Sequence, residues 1–158
     1  MKAEQRFGLT VPPLLMLVIC LGLIVLTHYF FPLTVSRLHA KWAVVTALLL
    51  AIVSVTIMLL GVITFRRYKT TVDPRYPHKS RALVTSGIYR LTRNPMYLGM
   101  VGLLFALTIW YANPLGLLSV ILFCFYIKRH QIAIEEAHLR AKFGAEFDDY
   151  CRQVRRWI

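Results

Sequence analysis

The chain has 158 residues, 58% of them hydrophobic and only 16% charged, with a mean hydropathy of +0.59; soluble domains run nearer to about 45–50% apolar and about 25% charged, so a membrane class comes first. A net charge of +12 raises nucleic acid as a partner, but nucleic-acid binders carry basic residues on a soluble folded surface, and here they flank apolar runs, which excludes that class. Three scattered cysteines, Cys20, Cys124 and Cys151, offer neither a disulfide framework nor metal spacing and read as small buried hydrophobes.

The first apolar run follows Val11-Pro12-Pro13, where proline suits the first turn of a helix, and residues 11–31 are long enough to span a hydrocarbon core of about 30 Å. Lys2 and Arg6 ahead of it also fit a secretory signal. His28-Tyr29-Phe30-Phe31 makes a poor cleavage site, however, and reads better as an aromatic belt at a membrane interface. Residues 42–65 carry no charge and predict a second transmembrane helix. A third run, 96–112, is followed by the turn signal Asn113-Pro114 and then by a fourth over 115–134, so the last two are expected to form a helical hairpin. Asn94 and Pro95 read as the N-cap and first residue of the third helix.

These elements predict an all-α integral membrane protein, a single membrane domain with about four transmembrane helices. All but Arg37 and Lys41 of the nineteen lysines and arginines then fall on one side. The positive-inside rule places both termini and the 66–95 loop in the cytoplasm of a multi-pass protein, and the charge reflects topology and anionic lipid. Beyond residue 127 the pattern stays helical but becomes amphipathic, with Leu139, Phe143, Phe147, Cys151 and Val154 at three- or four-residue steps. Gly144 is expected to cap one helix. Glu146, Asp148 and Asp149 then fall in the first turn of the next and Arg152, Arg155 and Arg156 in its last, giving cytoplasmic C-terminal helices over 135–158.

Of seven acids, five lie between Glu135 and Asp149. On a continuous helix Glu135 and Glu136 sit about 12 Å beyond Ile127, so two carboxylates meet a strongly basic loop at the membrane boundary. They fit either a solvated helix whose glutamates pair with arginines or a site for a cationic or polyhydroxyl ligand held between tail and loop. Unstructured loops longer than about 12–15 residues are uncommon unless functional or disordered. Here the island Arg81-Ala82-Leu83-Val84 and the aromatics Tyr76 and Tyr89 predict a 66–95 loop that packs back onto the tail. His28, His39, His78, His130 and His138 show no metal-ligand spacing, so no metal is expected. Neither a nucleophile elbow nor a Gly-rich dinucleotide fingerprint is present.

Taken together, "LVTSGIYRLTRNPMYLG", the hydrophobic hairpin, the Glu-Glu pair and "FGAEFDDYCRQVRR" resemble the integral-membrane methyltransferase family that includes isoprenylcysteine carboxyl methyltransferases and phospholipid N-methyltransferases, over roughly residues 66–158. The resemblance implies S-adenosylmethionine as cofactor, in a pocket between the loop, the membrane boundary and the C-terminal helices. It implies that Arg81, Ala82, Leu83 and Val84 line the adenosine end, that Tyr89, Asn94, Pro95, Met96 and Tyr97 wall the pocket, and that Glu135 anchors ribose hydroxyls or the ammonium group. A carboxylate is a strong acceptor and aromatic faces tolerate a sulfonium cation. The implied acceptor is lipophilic or amphiphilic and reached from the lipid bilayer: an isoprenylcysteine-like carboxylate, a phospholipid amine or a small thiol. Arg129 and Glu136, seven apart, are the candidate catalytic cation and base. The prenylcysteine enzymes place an arginine four residues before the donor-binding glutamate; Gln131 stands there in this chain, a candidate acceptor-binding residue that speaks against a carboxylate. The alternative is a non-enzymatic membrane scaffold that grips anionic lipid through its basic loop and tail, which leaves the paired glutamates without a role.

Overall fold

The computed structural model describes residues 11–33, 41–68 and 83–158, and every regular element among them is helical. Helix α1 (Pro13–Phe30) starts on Pro13 and turns Met16, Leu17, Cys20 and Ile24 inward, the three- and four-residue steps of one helical face. Helix α2 (Lys41–Arg67) is the longest, at 27 residues. A short 3₁₀ turn (Gly87–Arg90) precedes α3 (Pro95–Tyr111). Helix α4 (Gly116–Ile127) then runs through a π turn (Lys128–Ile132) into α5 (Ala133–Phe143), and α6 (Ala145–Gln153) follows. Three helices are long and apolar enough to cross a membrane, Pro13–Phe30, Lys41–Arg67 and Gly116–Phe143, and Pro95–Tyr111 is a shorter apolar fourth. The protein is an all-α integral membrane protein.

Small residues set how α2 meets α3. Of α2 only Ala47, Ser54 and Gly61 are buried, each seven residues from the next, forming one narrow stripe. Gly99 and Gly102 of α3 lie against it: a Cβ on Gly99 would come 2.6 Å from the Ser54 carbonyl oxygen, and one on Gly102 would overlap the Ser54 hydroxyl. Lipid tails are as apolar as leucine, so membrane helices associate by such close backbone approach. The Ser54 hydroxyl donates to the Leu50 carbonyl at 2.6 Å, which removes its need for a partner across the seam. Ile52, Val53, Leu59 and Leu60, among others on the rest of α2, are exposed and apolar, as a lipid-facing surface requires.

The main core lies among α1, α3 and α4, where Cys20, Ile24, Leu104, Phe123, Ile127 and Ile132 are fully buried. The Asn113-Pro114 turn does more than reverse the chain. Asn113 donates through Nδ2 to the Thr27 and Phe31 carbonyls at 3.1 and 2.9 Å, and its Oδ1 accepts from the Leu115 amide at 3.0 Å. One side chain thus closes the hairpin and ties it to the end of α1, adding to the bonds that the Thr27 and Phe31 carbonyls accept from the Phe31 and Leu33 amides.

Gly144 takes a positive φ of 52° after its amide bonds the Arg140 carbonyl at 2.9 Å, the cap its position predicts. Leu139, Phe143, Cys151 and Leu83 pack around Phe147, Tyr150 and Val154 in a second cluster, so the amphipathic face is shared by two helices. Helix α6 ends at Gln153. Arg155 and Arg156 therefore lie beyond it, in an extended segment that begins at Val154 (φ −123°, ψ 130°), and do not sit in its last turn as the charge pattern suggests.

Candidate functional site

Of the cytoplasm-facing loop predicted over 66–95, Arg66 and Arg67 end α2 and the chain is described again from Leu83; Arg81 and Ala82 lie outside the described residues. From Leu83 the loop does pack back: Leu83 joins the second cluster, Val84 is buried, and the Tyr150 hydroxyl donates to the Tyr89 carbonyl at 2.7 Å. The Tyr89 ring lies against Phe65 of α2, centroids 5.1 Å apart. Its own hydroxyl is buried and has no hydrogen-bond partner among the described residues. Burial, with Tyr150 and Glu135 adding, pushes the Tyr89 phenol far up, so it stays a neutral O–H. Helix α3 then begins at Pro95 and carries Tyr97 in its first turn, almost fully buried.

Tyr97 donates to Glu135 Oε1 at 2.5 Å, within the range of hydrogen bonds to an ionised acceptor. Glu135 stands in the first turn of α5 and is half-buried, and among the described residues it meets no cation. Its neighbour is the opposite case. Glu136 accepts from Arg93 Nη1 at 3.1 Å and from Arg156 through both Nε at 3.0 Å and Nη2 at 2.5 Å. Two adjacent glutamates therefore differ in what remains unspent: Glu136 is neutralised by two guanidiniums, while Glu135 has one neutral partner. Buried charges are normally paired, so a carboxylate left this way is a place for a cationic ligand.

Gly61 brings α2 up to the same spot. A Cβ there would come 3.0 Å from Met96 Cγ, 3.4 Å from Pro95 Cγ and 3.6 Å from the Tyr89 hydroxyl. Tyr89, Pro95, Met96, Tyr97 and Glu135 are thus brought together by α2, the loop, α3 and α5. Gly61 was not among the predicted site residues, although a glycine inside an uninterrupted apolar helix is the signal that could have found it.

Asn94 stands at the N-cap position of α3, as predicted, but its side chain is used differently. Its side chain makes no capping bond; Nδ2 donates instead to the Arg156 carbonyl at 2.9 Å, and the Thr92 hydroxyl donates to the same oxygen at 3.3 Å. An N-cap uses a side-chain oxygen toward helix amides, whereas here a carbonyl from far along the chain takes the amide hydrogens. Thr92, Arg93 and Arg156 were likewise missed, because basic residues beside a membrane are already explained by topology.

Arg129 is exposed in the π turn. Among the described residues Glu136 pairs with Arg93 and Arg156 and not with Arg129. Gln131 is almost fully buried. Its Nε2 donates to the Val11 carbonyl at 3.2 Å, which fixes the orientation of the amide, and its Oε1 has no partner among the described residues. Tyr126 exchanges hydrogen bonds with the Val11 amide and carbonyl at 2.7 and 3.2 Å and stacks on His130.

The phospholipid methyltransferase family model matches residues 42–146, a span that contains Gly61, Tyr89, Tyr97 and Glu135. Over 140 residues the chain is 31% identical to a probable protein-S-isoprenylcysteine O-methyltransferase of Oryza sativa subsp. indica, and equally to that of subsp. japonica, covering 87% of this chain and 72% of each relative. It is also 46% identical, over 63 residues and 40% of its own length, to the whole of an uncharacterized protein of Haemophilus influenzae strain Rd. No solved structure matches the chain. A family model that spans more than half of the chain, together with relatives that align along most of it, places the protein in the phospholipid methyltransferase family, as a membrane methyltransferase.

Proposed function

We propose that the protein is an S-adenosylmethionine-dependent methyltransferase that binds its donor between Tyr89, residues 95–97 and Glu135, and takes a lipophilic acceptor from the bilayer. The observation that carries this is the half-buried Glu135 carboxylate, which lacks a cation among the described residues, beside the buried, unpartnered hydroxyl of Tyr89. Both fit the donor, a cation through its sulfonium and ammonium groups with hydroxyls and ring nitrogens to pair. S-adenosylmethionine, when bound, would supply an electrophilic methyl group to a lone pair of the acceptor and leave as S-adenosylhomocysteine.

The chain's own residues bind, orient and exclude water. Glu135 offsets positive charge in a site removed from solvent, where it counts for more than in water. The faces of Tyr89 and Tyr97 favour a cation beside them. The close seam of α2 against α3 holds these groups in fixed register, and positioning is the main contribution a direct displacement needs from a protein. Glu136, with its oxygens taken by Arg93 and Arg156, is suited to fix that register.

On the acceptor side, the buried Oε1 of Gln131 favours a head group that can donate a hydrogen bond, an amine or a hydroxyl, over a carboxylate, which would leave it unpaired. Both termini and the 66–95 loop face the cytoplasm in this reading, where donor is made. Calorimetric titration of the detergent-purified protein with S-adenosylmethionine is the direct test. Saturable heat that Glu135→Ala removes, with the variant still folded, is the expected result; no saturable heat at millimolar donor overturns the proposal.

A further inference from the structure

The segment that follows α6 is held in an unusual way for five residues with no secondary structure. Short segments at the edge of a domain stay loose unless they are tied down, and residues 154–158 are tied to both halves of the site. The Arg93 amide donates to the Arg155 carbonyl at 3.1 Å, and Thr92 and Asn94 both donate to the Arg156 carbonyl. Arg156 grips Glu136 with two nitrogens, and Arg93 reaches the same carboxylate. Trp157 packs onto the core cluster that contains Tyr97 and Ile132. One end of these contacts is the start of α3, three residues from Tyr97; the other is the residue next to Glu135.

Asn94 gives the strongest indication of what the segment is for. Asparagine before a helix ordinarily caps it, and Asn94 forgoes that local bond to hold a carbonyl 62 residues away. The Thr92 hydroxyl, itself buried, is committed to the same place, since it also accepts from the Asn94 amide at 3.2 Å. Two polar side chains just ahead of α3, Thr92 and Asn94, and the Arg93 amide between them thus serve the segment, close to the seam where Tyr97 meets Glu135.

We infer that residues 154–158 form a strap that sets the distance between Tyr97 and Glu135, with Asn94, Arg156 and Glu136 as positioning residues that act on the donor site through it. This rests on the donor reading above. A ligand held between α3 and α5 steadies the same two elements that the strap joins, so donor and strap favour one another, and by reciprocity each strengthens the other's attachment.

Two measurements on the full chain in detergent test this. The first is hydrogen exchange at the Arg93 amide, which the strap's Arg155 carbonyl holds; saturating S-adenosylmethionine is expected to slow it by about tenfold, the size of a typical coupling between two sites. The second is Asn94→Asp, which has the same shape and is the better helix cap but cannot donate to Arg156. It is expected to melt at or above the wild-type temperature and yet bind donor about tenfold more weakly, in keeping with one lost hydrogen bond; a purely structural Asn94 predicts no such split. If wild-type protein binds donor while exchange at Arg93 is unchanged by it, or if a folded Asn94→Asp binds as wild type does, the strap is overturned and the donor reading stands. If wild-type protein takes up no donor, both fall. Should Asn94→Asp not fold, the wild-type exchange measurement decides alone.

Discussion

Replacing Glu135 by glutamine removes charge and almost nothing else, since the amide keeps the shape and its oxygen still accepts from Tyr97. In the protein alone that charge is a liability, because the carboxylate is half-buried with one neutral partner. A bond to a charged acceptor is worth about 1.5–3 kcal/mol and one to a neutral acceptor about 0.5–1.5, so about 1 kcal/mol is given up at Tyr97. Relief of an unpaired, partly desolvated charge returns about 1–3 kcal/mol. The free protein should therefore melt at the wild-type temperature or a few degrees higher. Donor binding should move the other way: losing a charge-assisted contact worth about 2–4 kcal/mol weakens it by about 30- to 900-fold. Thermal melts and calorimetric titration on the same detergent preparation read both quantities. Glu136→Gln supplies the contrast, since it strips charge from a site facing two guanidiniums. It should destabilise the free protein by about 1–3 kcal/mol, less than a fully buried pair because the Arg156 side chain is 33% exposed. A Glu135→Gln variant that binds donor within about threefold of wild type, or that melts well below it, refutes this account of the two glutamates.

Tyr89→Phe removes a buried hydroxyl that has no partner in the free protein, so the melt should hold or rise slightly while donor affinity drops by about 1 kcal/mol, some fivefold, measured in the same titration. Gly99→Ala presses a methyl against the Ser54 carbonyl and should destabilise by about 1–3 kcal/mol, whereas Gly22→Ala, where nothing lies within 4 Å, should be neutral in the same thermal melt. Gln131→Leu should leave donor affinity unchanged and lower the transfer of radiolabelled methyl into a fractionated membrane extract; equal transfer would remove Gln131 from the acceptor side.

Much of the fold follows from patterns that depend on neighbours in sequence. Uncharged length makes α2, Pro13 and Pro95 mark where α1 and α3 begin, and Asn113-Pro114 and Gly144 mark the breaks, because each of these is decided by local backbone chemistry. The apolar run ends at Ile127, and the helix expected to run on beyond it does so to Phe143, through a π turn that hydropathy does not announce; main-chain hydrogen bonding does not depend on side-chain polarity. The π turn itself adds one residue to a turn and has no compositional sign. The side chain of Asn94 and the arginines at 155 and 156 misread because capping and dipole rules describe a helix by itself, and the winning contact comes from 62 residues away.

The site was legible as a set of residues but not as a division of labour. Glu135 and Glu136 are the same residue type in the same turn, and no local rule separates them. A helix turns about 100° per residue, so adjacent side chains must look onto different surroundings. One looks onto the seam where Tyr97 begins α3, the other onto Arg93 and Arg156. Which glutamate stays unpaired is therefore settled by residues 38 positions before it and 20 positions after its neighbour, once α2 has closed on α3 through Gly61, Gly99 and Gly102. The stripe of small residues that lets the backbones approach is what converts a repeated pair of acids into one fixed anion and one poised for a cation, and so ties the packing of the membrane helices to the chemistry at their end.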